Sequence, residues 1–130
     1  LSSIYFDKPT VIRSHLDFSI SDAVPAGDTR TGLYFYATIL DDHAILYSWL
    51  DQNLEAFLGK IPSVYHQSLP QLFQTSCNSH NQGLMNGFFE GRGDLYASAL
   101  AKANETMESC IGRRARESDA LDRFLAQYSD

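Results

Sequence analysis

Leu33, Tyr36, Leu40, His43, Tyr47, Leu50, Leu54 and Phe57 follow one another at steps of three or four residues through seven helical turns. Steps of this size bring all of them to one face of an α-helix and scatter them across both faces of a strand, so this part of the chain is committed to helix. The first half, LYFYATIL at 33–40, is apolar on every side. Such a helix lies at the centre of a bundle, or faces a core on one side and a partner on the other. The spacing predicts one helix over 31–58, ended by Gly59 just past its last turn and kept from resuming by Pro62.

The other segments are shorter. Residues 10–22 carry two periods: Ile12, Leu16 and Ile20 recur as in a helix, while Leu16, Phe18 and Ile20 alternate as in a strand. Helix is expected there, with strand as the alternative. AVPAGDTRTG at 23–32 reads as a turn-rich loop. A short helix is expected over 63–68, and Pro70 suits the first turn of a helix over 71–90 that Gly91 and Gly93 stop. Asp94 is placed to cap a helix over 95–110 whose buried line is Leu95, Ala99, Ala103 and Met107. Gly112 closes it, and a last helix over 116–128 carries Leu121, Phe124, Leu125 and Tyr128 on one face. The expected fold is an all-α, or nearly all-α, bundle of four to six helices forming one domain over 1–130, and only its N-terminal segment is divided between helix and strand.

Composition narrows the function classes. A hydrophobic fraction of 44% against 20% charged residues is ordinary globular usage and excludes a disordered chain. The net charge of −6 disfavours nucleic acid, which needs a basic face. No uncharged apolar run reaches the length of about 18 residues that a membrane span needs. Leu1 in place of a methionine is what a processed precursor shows, and a trimmed chain shows it equally. Cys77 and Cys110 fall at matching ends of adjacent predicted helices, which favours a disulfide and, with it, a periplasmic or secreted location.

The stretch SCNSHNQGLMNGFFEGRGD at 76–94 invites several readings. On a helix, Ser79, Gly83, Gly87 and Gly91 fall four residues apart, a smooth face suited to close helix packing within the chain or across a dimer. Cys77 with His80 suggests a zinc pair or a thiolate–imidazole dyad, but CxxC, HExxH and HxH are all missing, and neither metal, cofactor nor catalytic residue is expected. The RGD at 92–94 is explained by an interhelix turn followed by a capping aspartate. Asn104-Glu105-Thr106 is a formal glycosylation sequon in mid-helix. P-loop, dinucleotide and serine-hydrolase fingerprints are absent from the sequence.

Asp41, Asp42, Asp51 and Glu55, with Trp49 between them, form the candidate partner-binding face, since acids mixed with aromatics suit a recognition surface. With the net negative charge they point to a basic protein partner. Arg113, Arg114 and Arg116 follow a predicted helix end, where cations complement the helix dipole, with contact to an anion or acidic partner as the alternative. The cysteine-opened, glycine-bearing segment 77–91 resembles small helical periplasmic immunity proteins that neutralise type VI secretion amidases. That resemblance implies an exported inhibitor or immunity protein, and homodimerisation is expected through the glycine face. The alternative is a carrier or sensor of a small apolar ligand held between helices. An enzyme using His43 with Asp41 or Asp42 comes third.

Overall fold

The computed structural model describes residues 8–128, so the lead-in at 1–7 lies outside the described residues. These form five α-helices, α1 (Lys8–Ser19), α2 (Ala26–Ile39), α3 (Ala44–Lys60), α4 (Ser79–Phe89) and α5 (Ala97–Ala126), with 3-10 turns between them and no strand among the described residues. The all-α expectation holds, and the ambiguous N-terminal segment is helix. Pro9 sits in its first turn, where a missing N–H is harmless. Ile12, Leu16 and Ser19 form its buried line, which leaves Phe18 exposed.

The long predicted helix is broken in the middle. Its stripe nevertheless keeps one side: Leu33, His43, Tyr47, Leu50 and Phe57 are buried and Tyr36, Leu40 and Leu54 half-buried. The break falls at Leu40, whose backbone is extended (φ −84°, ψ 135°). Asp42 then accepts a hydrogen bond from the Ala44 amide at 2.9 Å and starts α3 afresh. Short aspartate side chains compete with the helix for backbone donors, and Asp42 does so here from the position before the His43 N-cap. The expected loop at 23–32 shrinks accordingly, because α2 already begins behind Pro25.

Gly59 does not end α3. The helix runs through it to Lys60, and Ile61 is extended (φ −94°, ψ 153°) because the ring of Pro62 excludes its predecessor from the helical region. The predicted helix over 71–90 is likewise divided into a 3-10 turn at Leu69–Phe73 and α4, whose N-terminus Asn78 caps by accepting from the Asn81 amide at 2.7 Å. Gly112, in contrast, does not interrupt α5. One interior glycine costs only about 1 kcal/mol in a helix, and the flanking residues are good helix formers with supporting pairs from Arg113 to Glu117 and from Arg123 to Asp119.

One core gathers side chains from α1 through the first half of α5. Trp49, Phe57, Phe73, Phe89, Leu16, Leu33, Leu46, Leu50, Leu69, Met85 and Met107 are fully enclosed. Tyr47 lies at its aromatic centre, 4.6 Å from the Phe73 ring and 5.4 Å from that of Phe88. The 3-10 turn Leu69–Phe73 is wedged between α2 and α5, and α4 packs on both α3 and α5.

Candidate interaction surface

The five residues of the expected partner face are not one face. Trp49 is in the core at 1% exposure, and its indole N–H donates to Asp17 at 2.8 Å, so it cannot anchor a partner. Its spacing of three from Leu46 and eight from Phe57, both buried on the inner side of α3, was the sequence signal for this. Asp41 and Asp42 sit in the corner between α2 and α3, whereas Asp51 and Glu55 lie a turn apart on the exposed side of α3. Asp51 is held by Arg92 at 2.7 Å. Asp42 accepts from Ala44 and pairs with His80 at 3.0 Å, and these two bonds, the backbone one first, hold its carboxyl below the usual aspartate range.

Behind that corner is a polar knot. Asn81 is fully buried; its amide donates to the Asp41 carbonyl and to the Ser76 hydroxyl, both at 2.8 Å, and its side-chain oxygen accepts from the His43 amide at 2.9 Å. Asn78 adds a bond to the same Asp41 carbonyl at 3.2 Å. The N-terminus of α4 is therefore fastened to the corner by these side-chain amides together with the His80–Asp42 pair, and no motif in the sequence announces it.

His43 lies in the core and donates from Nε2 to the Ala37 carbonyl at 2.8 Å. Burial, the largest influence, pushes its pKa below 6.5, against the pull of the Ala37 bond and the Asp42 carboxylate. The unfolded chain thus takes up a proton first as pH falls through 6.5, and stability is expected to decline from there, by at most about 1.4 kcal/mol per pH unit. Urea titrations of the native chain and of His43→Gln between pH 7.5 and 5.5 check this: only the native chain should lose stability in that window. The other described histidines are apart: His15 bonds to Tyr36, His66 to the Ile61 carbonyl and His80 to Asp42. No group of three potential metal ligands occurs among the described residues.

Cys77 and Cys110 are bonded, with Cα atoms 5.4 Å apart, so neither is a free thiol. Within the chain, the expected close contact at the glycine face is not made. Ser79, Gly83, Gly87 and Gly91 are all exposed, and a Cβ built on any of the three glycines meets nothing within 4 Å. The buried side of α4 is the opposite one, with Asn81, Met85, Phe88 and Phe89. Gly83→Ala and Gly87→Ala are accordingly expected to stabilise the monomer by about 0.5–1 kcal/mol each through helix propensity, a rise of roughly 2–4 °C in melting temperature. Calorimetry at low protein concentration tests this.

The RGD tripeptide is structural. Arg92 lies 4.0 Å over the Phe88 ring while it pairs with Asp51, and Gly93 has the only positive φ among the described residues, at 94°. Asp94 makes no capping bond and opens a 3-10 turn instead, which corrects the expected cap. Asn104 of the sequon is engaged with Asn86 through reciprocal amide bonds of 2.8 and 3.1 Å and also accepts from Gln82 at 2.8 Å.

The largest departure from expectation is the end of α5. The helix is buried at Ala99, Leu100, Ala103 and Met107 and half-buried at Cys110, Ile111 and Gly112; every residue from 113 to 128 is exposed. The three arginines are thus mid-helix rather than at a helix end. Leu121, Phe124, Leu125 and Tyr128 share one side, as the spacing predicted, yet they are 56%, 53%, 54% and 73% exposed. On α2, Leu33 and Ala37 enter the core while Phe35 and Ile39 stay 54% exposed, so LYFYATIL faces a core on one side only. No helix is long and apolar enough to cross a membrane among the described residues. No family model matches this chain, and neither a curated protein nor a solved structure matches it.

Proposed function

We propose that this chain is a protein-binding helical module of an oxidising compartment, periplasmic or secreted, that acts as an acidic inhibitor or immunity-type protein and engages its partner through the projecting half of α5. The observation that carries this reading is the uncovered stripe Leu121, Phe124, Leu125 and Tyr128 on a helical arm without support from the body. Isolated helices of about this length are marginal in water, so the arm gains most of its stability when another surface covers that stripe. The disulfide supports an oxidising location. The net charge of −6 favours a basic partner by raising the encounter rate, while the arm supplies the short-range contact.

A photo-crosslinking residue placed at Ser118 on the arm, and separately at Glu55 on the outer side of α3, tests the reading in the native compartment. The expected result is one discrete adduct from position 118, lost in Leu121→Asp/Leu125→Asp. An adduct of twice the 14.6 kDa chain mass would put a second copy on the arm, overturning the basic partner and placing the homodimer there rather than at the glycine face. Adducts from position 55 alone would return the binding face to the acids of α3, and smears from both positions would end the proposal.

A further inference from the structure

Along the 3-10 turn Leu69–Phe73, where it meets α2 on one side and α5 on the other, three concavities of about 350, 270 and 770 Å³ adjoin. The first two share Ser68 and Gln71, and the last two share Gln71 and Lys102, so they lie side by side in one row along the turn, a groove lined from Arg30 to Arg113. Its charge runs against that of the protein. Arg30, Lys102 and Arg113 line it, with Glu105 as its one acid, on a chain that has 16 acidic against 10 basic residues. Arg30 is already oriented, its guanidinium 4.3 Å over the Tyr65 ring, and Arg113 reaches the exposed Glu117 at 3.9 Å and the Cys110 sulfur at 3.7 Å. Between Lys102 and Arg113 the wall carries Glu105 beside neutral amides and hydroxyls, Gln71, Gln74, Thr106 and Ser109 among them.

We infer that this groove binds an extended acidic peptide segment of a partner protein. Lys102, Thr106, Ser109 and Arg113 fall at steps of four, three and four on α5, which is one face, and the two cations are roughly 16 Å apart along the axis. An extended chain rises about 3.3 Å per residue and its side chains alternate between faces, so carboxylates four residues apart share a face, span about 13 Å and come within reach of both long cationic side chains. The amides and hydroxyls between them suit the backbone groups of such a segment. A nucleic acid fits less well, because three cations on a body of net charge −6 neutralise few phosphates. This inference goes beyond the arm reading and does not depend on it: the groove lies on the body and meets the arm only at Arg113.

Fluorescence anisotropy with labelled octapeptides decides it. The probes are a serine–glycine peptide with two glutamates four positions apart, the same peptide with the glutamates adjacent, its glutamine counterpart, and a single-stranded oligonucleotide of eight bases. The spaced acidic peptide should bind at least ten-fold more tightly than the glutamine peptide and several-fold more tightly than the adjacent one. Lys102→Glu should weaken it ten-fold or more, and Glu105→Gln should tighten it two- to five-fold, a gain that misfolding cannot imitate. Equal binding of acidic and glutamine peptides, indifference to Lys102→Glu, or preference for the oligonucleotide would each overturn the assignment.

Discussion

Asn81→Ala is expected to destabilise the fold by about 3 kcal/mol, a fall of roughly 10 °C in melting temperature. The alanine keeps the backbone of α4 but removes one acceptor and two donors at a side chain that is itself fully buried. Left behind are the His43 amide, which loses its acceptor, the Ser76 hydroxyl, and the Asp41 carbonyl, which retains only Asn78. A buried donor deprived of its acceptor costs about 1–3 kcal/mol, well above the net contribution of an ordinary hydrogen bond. Ser76→Ala is the control: it removes one bond from the same knot and should cost about 1 kcal/mol. Denaturant titration of both variants separates the cases. If Asn81→Ala loses no more than Ser76→Ala, the corner between α2 and α3 is held by packing around Tyr47 and Phe73, and the knot is incidental.

This knot also marks where sequence reading stops. The stripe from Leu33 to Phe57 was legible because burial acts on periodicity, and all of its residues ended at least half-buried. The break within it was not, because the decisive groups are Asp41 and Asp42, which fall between the stripe positions Leu40 and His43, and Asn81 some forty residues away. Hydrophobic period reports which side of a helix is inward; it says little about where the backbone turns. The two misplaced helix ends follow the same physics. Gly59 and Gly112 only weaken a helix, by about 1 kcal/mol each, so neighbouring residues override them. Pro62 removes a backbone region from Ile61 by steric exclusion, and nothing overrides that.

The candidate surface was less legible than the fold for a different reason. Trp49 was assigned to binding by its residue type, although its spacing of three from Leu46 and eight from Phe57 placed it inward. The glycines were assigned to packing by their spacing, but spacing is blind to which side of α4 meets the core: that is set by Met85, Phe88 and Phe89. The stripe on the arm was found correctly as one side of a helix. What could not be read is that the body ends at Ile111, because an amphipathic side has the same sequence whether the chain itself or another molecule covers it.

The disulfide carries the second large expectation. It was read from two cysteines at matching helix ends, and it joins the residue before the Asn78 cap to the place where α5 leaves the body. Closing a loop with a sequence separation of 33 lowers the entropy of the unfolded chain by an amount worth about 3.5 kcal/mol. Reduction, or the pair Cys77→Ala/Cys110→Ala, should therefore lower the melting temperature by about 10–15 °C. Two measurements give this content. Alkylation followed by mass determination should show no modified cysteine before reduction and two after it; two modified thiols without reductant would remove the bond and the main support for an exported location. The second compares the alanine pair with Cys77→Ser/Cys110→Ser. If the effect lies in the unfolded chain, the two pairs lose the same stability, because the loop opens equally in both. If it lies in native packing around the half-buried Cys77 and Cys110, the serine pair, which places hydroxyls where sulfur was, loses measurably more, and the entropic account fails.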